Sequence, residues 1–192
     1  MNSKRFDNPI LKNCGDDVLI SHNVEIRRPN LVSIGSHVAI DWGFYCTSAL
    51  ELGDYIHIGP HVTCIGGVKG ILTCKGFNNI MAGARIITVS DRFDGSGLFG
   101  SMIPERYHGR LIEKPVIMEP FSNIGTNAVV LPGSYLAMGV LITIGSVIMG
   151  ETEPWTVYKG NPAKPVKKIN GERLIKYAGE MGYSFSEDRK EI

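Results

Sequence analysis

The sequence lacks the features that mark several large classes of protein. It has 4 cysteines and no C-x-x-C pair, which argues against a zinc ribbon or a disulfide framework and suits a reducing compartment. No apolar run is long enough to span a membrane, and residues 1–17 are polar, without the apolar core of a signal peptide. The net charge of +1 provides no basic surface for nucleic acid. We therefore expect a cytoplasmic protein with no membrane span and no nucleic-acid partner.

What the sequence does have is an aliphatic residue at every sixth position, seven times in succession: Ile112, Met118, Ile124, Val130, Leu136, Ile142 and Ile148. A helix repeats its buried face every 3.6 residues and a strand every 2, so neither explains this period. A period of six predicts a chain that turns a corner every six residues and directs one aliphatic side chain inward each time. Three such corners close one triangular coil of a parallel β-helix built of hexapeptide repeats.

Shorter runs with the same step precede this ladder: Ile20, Ile26 and Val32; then Ile34, Ile40, Cys46, Leu52, Ile58 and Cys64; then Val68, Cys74, Ile80 and Ile86. The cysteines at ladder positions are expected to be small buried hydrophobic residues. Glycine follows several ladder residues, as at Gly35 and Gly125, where we expect a corner conformation that a Cβ would oppose. A β-sandwich would explain the content of valine, isoleucine and glycine, but not a phase held over seven successive positions.

The ladder also divides the chain, which we interpret as a single domain over residues 1–192. Its predicted parts are a lead-in at 1–17, coils at 18–89 and 112–150, an inserted loop at 90–111 and a C-terminal extension at 151–192. Within the extension, residues 172–181 have the pattern of a short amphipathic helix, which could cap the open end of the coil. Long loops inside compact domains are usually functional or disordered, so the insertion is the first place to seek a site.

The repeats, the loop and the closing segment together resemble the left-handed β-helix acyltransferases. The closing segment, residues 154–164, is close to the P-W-x-x-x-x-G-N/V-P-A-K ending of that family, and the similarity covers roughly residues 18–169. The start of the loop, Ser90-Asp91 with Gly95 and Gly97-Leu98, is similar to a branch that acylates sugars for surface polysaccharide such as O-antigen. Some members of this branch act on nucleotide-linked amino sugars.

This resemblance implies an all-β fold, a left-handed parallel β-helix with one long inserted loop and a short C-terminal helix. It also implies acetyl-CoA as co-substrate, a small-molecule sugar acceptor and a homotrimer with its sites between subunits. The expected activity is therefore transfer of an acyl group, acetyl in the first instance, to the amine of a nucleotide-linked sugar. Acylation of a sugar hydroxyl is the close alternative.

Two residues of the loop are the catalytic candidates. His108 has a side chain whose ordinary pKa lies near physiological pH, which suits a general base. Its alternative role is that of a solvated loop histidine, with the leaving CoA thiolate as the base. Asp91 could orient a histidine or hold the substrate amine, and the resemblance is best at this residue.

Four further loop residues are candidates for substrate binding: Arg92, Asp94, Glu105 and Tyr107. A guanidinium group suits the phosphates of a nucleotide diphosphate, and a carboxylate could accept a hydrogen bond from a sugar hydroxyl. Each residue also has an ordinary alternative as a solvated loop side chain. Asp94-Gly95, for instance, is a common pair in turns.

The end of the coil holds the cofactor-binding candidates that the resemblance implies: Lys159, Asn161, Ala163, Lys164 and Lys168. Basic residues at this place in the family meet the phosphates of CoA. Taken one at a time, these lysines could equally be solvated charges.

Two histidines on the coil, His57 and His61, raise the question of a metal site. Some trimeric β-helix proteins of the γ-carbonic-anhydrase type bind zinc through histidines, which makes such an enzyme a more distant alternative. The spacing of four places the two histidines on different parts of a six-residue coil, so we predict no metal. A non-catalytic β-helix scaffold is a further alternative.

Overall fold

A computed structural model of the protein describes residues 11–185, and the first ten and last seven residues of the predicted lead-in and extension lie outside them. The chain winds into a triangular coil whose three faces are parallel sheets. Sheet A contains β1 (Asn13–Cys14), β4 (Val32–Ile34), β7 (Ala49–Leu52), β10 (Ile71–Cys74), β15 (Val116–Met118) and β18 (Tyr135–Leu136). Sheet B contains β2 (Val18–Ile20), β5 (Val38–Ile40), β8 (Ile56–Ile58), β11 (Asn79–Ile80), β16 (Asn123–Ile124), β19 (Leu141–Ile142), β21 (Thr156–Gly160) and β22 (Ala163–Lys168). Sheet C contains β3 (Glu25–Ile26), β6 (Tyr45–Cys46), β9 (Thr63–Ile65), β12 (Arg85–Ile87), β17 (Val129–Val130) and β20 (Val147–Ile148).

The predicted ladder fills the interior of this coil. Its residues pair in register from one turn to the next, as Ile80 does with Ile58 and Ile124 in sheet B. Because neighbouring strands lie about 4.8 Å apart, these side chains stack into continuous apolar columns. The parallel β-helix predicted from the period of six is confirmed, and the sandwich is excluded.

Two members of the predicted ladder lie outside the core. Val68 is 66% exposed, in the short glycine-rich turn between β9 and β10. Ile112 is half-buried in β14 (Leu111–Glu113), which pairs with β13 (Val89–Asp91) as an antiparallel ribbon at the base of the insertion. Both residues match the period only by chance, because each precedes the point at which the coil resumes.

The buried cysteines are confirmed as core residues. Cys46, Cys64 and Cys74 are no more than 1% exposed, and burial raises the pKa of the Cys74 thiol to about 12. Hydrogen bonding with Cys46, followed by burial, raises the pKa of Cys64. The thiols of Cys64 and Cys74 therefore stay protonated, and all three cysteines act as small apolar side chains in the core.

The glycines after ladder residues are required for a reason other than the one predicted. Neither Gly35 nor Gly125 has a positive φ. A Cβ on Gly125 would instead lie 2.7 Å from the backbone nitrogen of Ile144, in the next turn of the coil. Stacking of the turns, and not the corner conformation, excludes a side chain at these positions.

The coil is longer than the predicted 18–150 at both ends. β1 pairs with β4 and so belongs to sheet A, although it lies in the predicted lead-in. β21 pairs with β19 and continues sheet B, and β22 folds back on β21 as an antiparallel strand that ends the sheet. β1 has only two residues, and β21 lies beyond the last step of the ladder at Ile148, so the aliphatic pattern of the sequence does not show this.

The C-terminal helix α1 (Glu172–Glu180) is present as predicted but does not cap the end of the coil. Its buried residue, Ala178, packs with Phe121 and Met138 on the side of the prism, at the corner between sheets A and B. The chain after α1 continues along the same corner, where Tyr183 contacts Tyr55 and Phe77.

That corner is lined by stacked rings from successive turns, and we call it the aromatic corner: His37, Tyr55, Phe77, Phe121 and Trp155. Neighbouring ring centroids lie 4.6–5.9 Å apart. Each of the five residues has a positive φ, between 52° and 64°, which places the rings one above another. Gly139 occupies the intervening turn, and a Cβ there would overlap the Trp155 ring.

Candidate active site

The inserted loop leaves the coil at the corner between sheets C and A, from the antiparallel ribbon of β13 and β14. Within the loop, the backbone of Leu98 donates to Tyr107 at 2.8 Å and accepts from Gly109 at 3.0 Å. Gly97 lies so close to this crossing that a Cβ would be 2.5 Å from the nitrogen of Gly109. These backbone contacts hold the two arms of the loop together and fix the position of His108.

The structure brings the two predicted catalytic residues together. The Nε2 atom of His108 lies 3.4 Å from Oδ1 of Asp91, and the two side chains are 18% and 23% exposed. Asp91 is placed by β13, and His108 follows a 3₁₀ turn at Glu105–Tyr107. Sequence separation alone did not predict this contact, since it depends on the folding of the loop.

The hydrogen bonds of this pair define its chemistry. Nδ1 of His108 lies 2.8 Å from the carbonyl oxygen of Gly109, which can only accept, so Nδ1 carries the hydrogen of the neutral ring. Nε2 then presents a lone pair toward Asp91. Oδ1 of Asp91 is buried and has no hydrogen-bond partner within residues 11–185. Two hydrogen-bond acceptors, Nε2 of His108 and Oδ1 of Asp91, therefore face the same point. A hydrogen-bond donor bound there would satisfy both.

Arg92 and Asp94, predicted to bind substrate, contact each other in a turn further out along the loop. Nε of Arg92 lies 3.7 Å from Oδ2 of Asp94, while Oδ1 of Asp94 accepts from the backbone of Ser96 at 3.0 Å. Hydrogen bonds from the Ser96 side chain and backbone lower the pKa of Asp94. Asp94 therefore stabilises the turn that its pairing with Gly95 indicates.

Glu105 and Tyr107 lie in the 3₁₀ turn directly before His108. The carbonyl of Glu105 accepts from the backbone of His108 at 3.1 Å, which helps to position the histidine. The ring of Tyr107 is 51% exposed and lies under the guanidinium of Arg106, at 4.6 Å. The two side chains are close to His108 in the chain, but none of these contacts directs them toward the His108–Asp91 pair.

The loop also carries an apolar surface that the sequence reasoning missed. Phe93 and Phe99 pack ring to ring at 4.9 Å, and Phe93 is 74% exposed. Leu98 and Met102 are 57% and 92% exposed. The signal in the sequence is that these four large apolar side chains fall outside the six-residue phase.

The predicted cofactor-binding residues form the hairpin of β21 and β22. Lys159 and Lys164 lie directly opposite each other across this hairpin, and Asn161 lies in its turn. Like charges directly opposite are destabilising, and neither lysine has a carboxylate within 4 Å among the residues that the structure describes. The pair would therefore be stabilised by a bound anion.

The other two members of that prediction have different surroundings. Lys168 pairs with Glu153 at 2.7 Å, so its charge is already compensated. Ala163 is 8% exposed and packs into the core.

The coil histidines do not form a metal centre. His57 pairs with Asp41 at 2.9 Å, and His61 packs against Trp42. Over residues 11–185 no group of three or more histidine, cysteine or carboxylate side chains could hold a metal ion. No helix in the same part of the chain is both long and apolar enough to cross a membrane.

Known proteins of similar sequence and structure agree on one family. No protein-family model matches the chain. The chain is 30% identical to dTDP-4-amino-4,6-dideoxy-D-glucose acyltransferase from Escherichia coli, over 85% of both chains. AntD, an N-acyltransferase from Bacillus cereus, superposes with a TM-score of 0.84 at 26% identity, over 90% of both chains, in a complex with dTDP and 3-hydroxybutyryl-CoA.

A variant of AntD bound to dTDP-4-amino-4,6-dideoxyglucose and coenzyme A superposes with a TM-score of 0.85 at 25% identity, over 90% of this chain and 91% of AntD. The fold of this chain is a triangular parallel β-helix with one inserted loop, and this fold defines its structural class. The chain belongs to the hexapeptide-repeat acyltransferase family.

Proposed function

We propose that the protein transfers an acetyl group from acetyl-CoA to the amine of a nucleotide-linked amino sugar. The observation that carries this proposal is the pair of converging acceptors, Nε2 of His108 and Oδ1 of Asp91. An amine has two hydrogens and an ammonium group three, so either can donate to both acceptors at once. A hydroxyl has one hydrogen and would leave one buried acceptor without a partner, which costs about 1–3 kcal/mol.

The reaction follows from this placement. The acceptor arrives as an ammonium held by Asp91, and His108 takes one proton through Nε2 to give the free amine. The amine nitrogen attacks the thioester carbonyl, the C–N bond forms, and the C–S bond breaks to release the CoA thiolate. The second nitrogen proton is lost to the thiolate or solvent as the amide forms. Positioning the two reactants supplies several kcal/mol of the acceleration.

The hairpin supports acetyl-CoA as the donor. Lys159 and Lys164 form an uncompensated pair of positive charges, which suits the phosphates of CoA. AntD has been crystallised with coenzyme A and with 3-hydroxybutyryl-CoA, and it superposes on 90% of this chain. Asn161 in the turn of the hairpin would contribute amide groups to the same ligand.

The relatives support the acceptor class. The Escherichia coli relative is named for a dTDP-linked 4-amino sugar, and the AntD variant holds that sugar nucleotide. By this likeness the product would enter synthesis of a surface polysaccharide such as the O-antigen of lipopolysaccharide, in the cytoplasm. Arg92 would meet the diphosphate, while Asp94, Glu105 and Tyr107 would shape the loop around the sugar.

The exposed loop surface supports a homotrimer with its sites between subunits. Phe93, Leu98, Phe99 and Met102 are costly to leave in water, and burial against a neighbouring coil would remove that cost. A neighbouring subunit would also close the catalytic pair off from solvent on its open side.

The test is release of free thiol from acetyl-CoA with two matched acceptors. The first is dTDP-4-amino-4,6-dideoxyglucose, and the second is dTDP-6-deoxyglucose, which has a hydroxyl in place of the amine. We expect kcat/KM to favour the amine by about 100-fold or more, because the hydroxyl leaves a polar group unpaired. A preference for the hydroxyl would make the protein an O-acetyltransferase. Absence of thiol release across a panel of amino and neutral nucleotide sugars would refute acyl transfer.

A further inference from the structure

A second group of chemically distinctive side chains lies on the outer face of sheet B, away from the inserted loop. Strands β2, β5 and β8 pair so that Leu19, Ala39 and His57 are adjacent in register. Outward side chains on neighbouring strands stand about 4.8 Å apart, so the small Ala39 leaves a notch between its two larger neighbours. Leu19 is 51% exposed and forms one wall of this notch.

The opposite wall is a carboxylate–histidine pair. Oδ2 of Asp41, which follows β5 at the corner between sheets B and C, lies 2.9 Å from Nε2 of His57. The two side chains are 42% and 50% exposed. Among the residues that the structure describes, Oδ1 of Asp41 and Nδ1 of His57 have no further partner. The pair therefore offers one carboxylate oxygen and one ring nitrogen to a ligand.

An aromatic platform stands beside this pair. Trp42 is 46% exposed and meets the edge of His61 at 4.4 Å, with the two rings 85° apart. Gly43 makes this arrangement possible, since a Cβ there would lie 2.7 Å from Nδ1 of His61. His61 is held in turn by Arg85, which donates to its carbonyl oxygen at 2.9 Å. Trp42 thus packs against a ring that is held in place, and 46% of its surface remains exposed.

We propose that Trp42, Asp41 and His57 form a binding site for a neutral pyranose ring. The C–H face of a pyranose is apolar and would pack against the exposed part of the indole. Its hydroxyl groups would donate to Oδ1 of Asp41 and hydrogen-bond with Nδ1 of His57. A phosphate group is disfavoured here because Asp41 is an anion, and the nearby guanidinium of Arg85 already donates to the carbonyl oxygens of His61 and Gly83.

This site is separate from the catalytic pair within one chain. Trp42 lies at the corner between sheets B and C, whereas the loop that carries His108 leaves at the corner between sheets C and A. Sheet C lies between these two corners of the coil. The pyranose site therefore goes beyond the proposed acyl transfer and does not depend on it.

The test is saturation-transfer NMR titration of the protein with methyl α-D-glucopyranoside and, separately, with dTDP-glucose. We expect saturation of the pyranose ring protons, with affinity reduced about tenfold by Trp42→Ala, as for loss of one stacking contact. Asp41→Asn should also weaken binding and provides a second variant that leaves the ring in place. Tyr177→Ala removes a ring of similar exposure, 53%, on α1 and should change nothing.

The two ligands distinguish the source of the sugar. Binding of the methyl glycoside indicates a glycan unit, whereas binding of dTDP-glucose alone, still lost in Trp42→Ala, indicates the sugar of the nucleotide-linked acceptor. The titration with the methyl glycoside should be unchanged in Asp91→Asn even though catalysis is lost, so the two proposals can fail independently. Saturation confined to thymine protons, no saturation in either titration, or equal losses in Trp42→Ala and Tyr177→Ala would overturn the site.

Discussion

The aromatic corner and the inserted loop belong to the same coil, but they differ in how completely their polar and apolar groups find partners. At the aromatic corner nearly every group is matched: rings stack on rings, and Tyr183 donates to Asp54 at 2.8 Å. In the loop, a buried oxygen of Asp91 has no partner within residues 11–185, and Phe93 stands 74% exposed. Unpaired buried polar groups and exposed apolar rings both cost stability. We infer that the first region maintains the fold and the second carries the chemistry.

The largest expected effect comes from Asp91→Asn in the loop. The amide nitrogen of asparagine can donate to Nε2 of His108, which would occupy the base and remove the charge that holds the ammonium. We expect kcat/KM to fall about 1,000-fold, or about 4 kcal/mol of transition-state free energy. Steady-state thiol release measures this, and thermal denaturation should show an unchanged Tm.

The inference that the loop carries the chemistry and the aromatic corner maintains the fold would be wrong if Asp91→Asn lowered Tm by several degrees while kcat/KM changed little. Asp94→Asn is the matched control, because it alters a carboxylate of the same loop that is occupied in a turn with Ser96. Its effect on kcat/KM should be small beside that of Asp91→Asn.

At the aromatic corner the largest effect should come from Trp155→Ala. The ring stacks on Phe121 at 5.9 Å and fills the space left by Gly139 and Gly171. Removing it leaves a cavity between the coil and the C-terminal segment, and we expect a loss of about 3 kcal/mol in the free energy of unfolding. Urea denaturation measures this loss, and kcat per folded molecule should stay close to that of the wild type.

The regular part of the molecule was predictable from the sequence, and the reason is physical. A core residue such as Ile124 must recur at every sixth position because each side of the triangular coil takes six residues and directs one aliphatic side chain inward. The aromatic corner was not predicted, since the spacing from Phe77 to Phe121 includes the whole insertion. Rings 44 positions apart reveal no period.

The candidate site was predictable only as residue types within a segment. His108 and Asp91 could be selected for their chemistry, but their 3.4 Å contact depends on the crossing of Leu98 with Tyr107 and Gly109. The contact of His108 with Asp91 and the notch beside Ala39 depend on neighbours that are remote in the chain. Such features have no local signature, so only the folded structure shows them.

A smaller effect within the loop is expected for His108→Ala. Loss of the base leaves Asp91 able to hold the ammonium, so we expect kcat/KM to fall about 100-fold. The pH dependence of kcat/KM should separate this role from a structural one, because the limb due to the histidine should disappear. A variant with near-normal turnover and an unchanged pH profile would remove His108 from the mechanism.

The smallest expected effect is that of Tyr183→Phe, which removes one hydrogen bond from the aromatic corner and leaves the ring in place. The hydrogen bond to Asp54, together with burial, raises the pKa of Tyr183 to about 12 from its ordinary value of 10. The folded state therefore favours the protonated phenol, so this stabilisation is complete below pH 10 and is lost as the pH rises toward 12. We expect the variant to melt about 2–4 °C lower at pH 7, and the difference to shrink above pH 10. Tyr177→Phe, on the exposed face of α1, should show no difference at any pH. A Tm difference for Tyr183→Phe that persisted unchanged to pH 11 would show that the tail is held by ring packing alone, and that the match between Tyr183 and Asp54 adds nothing to the stability of the corner.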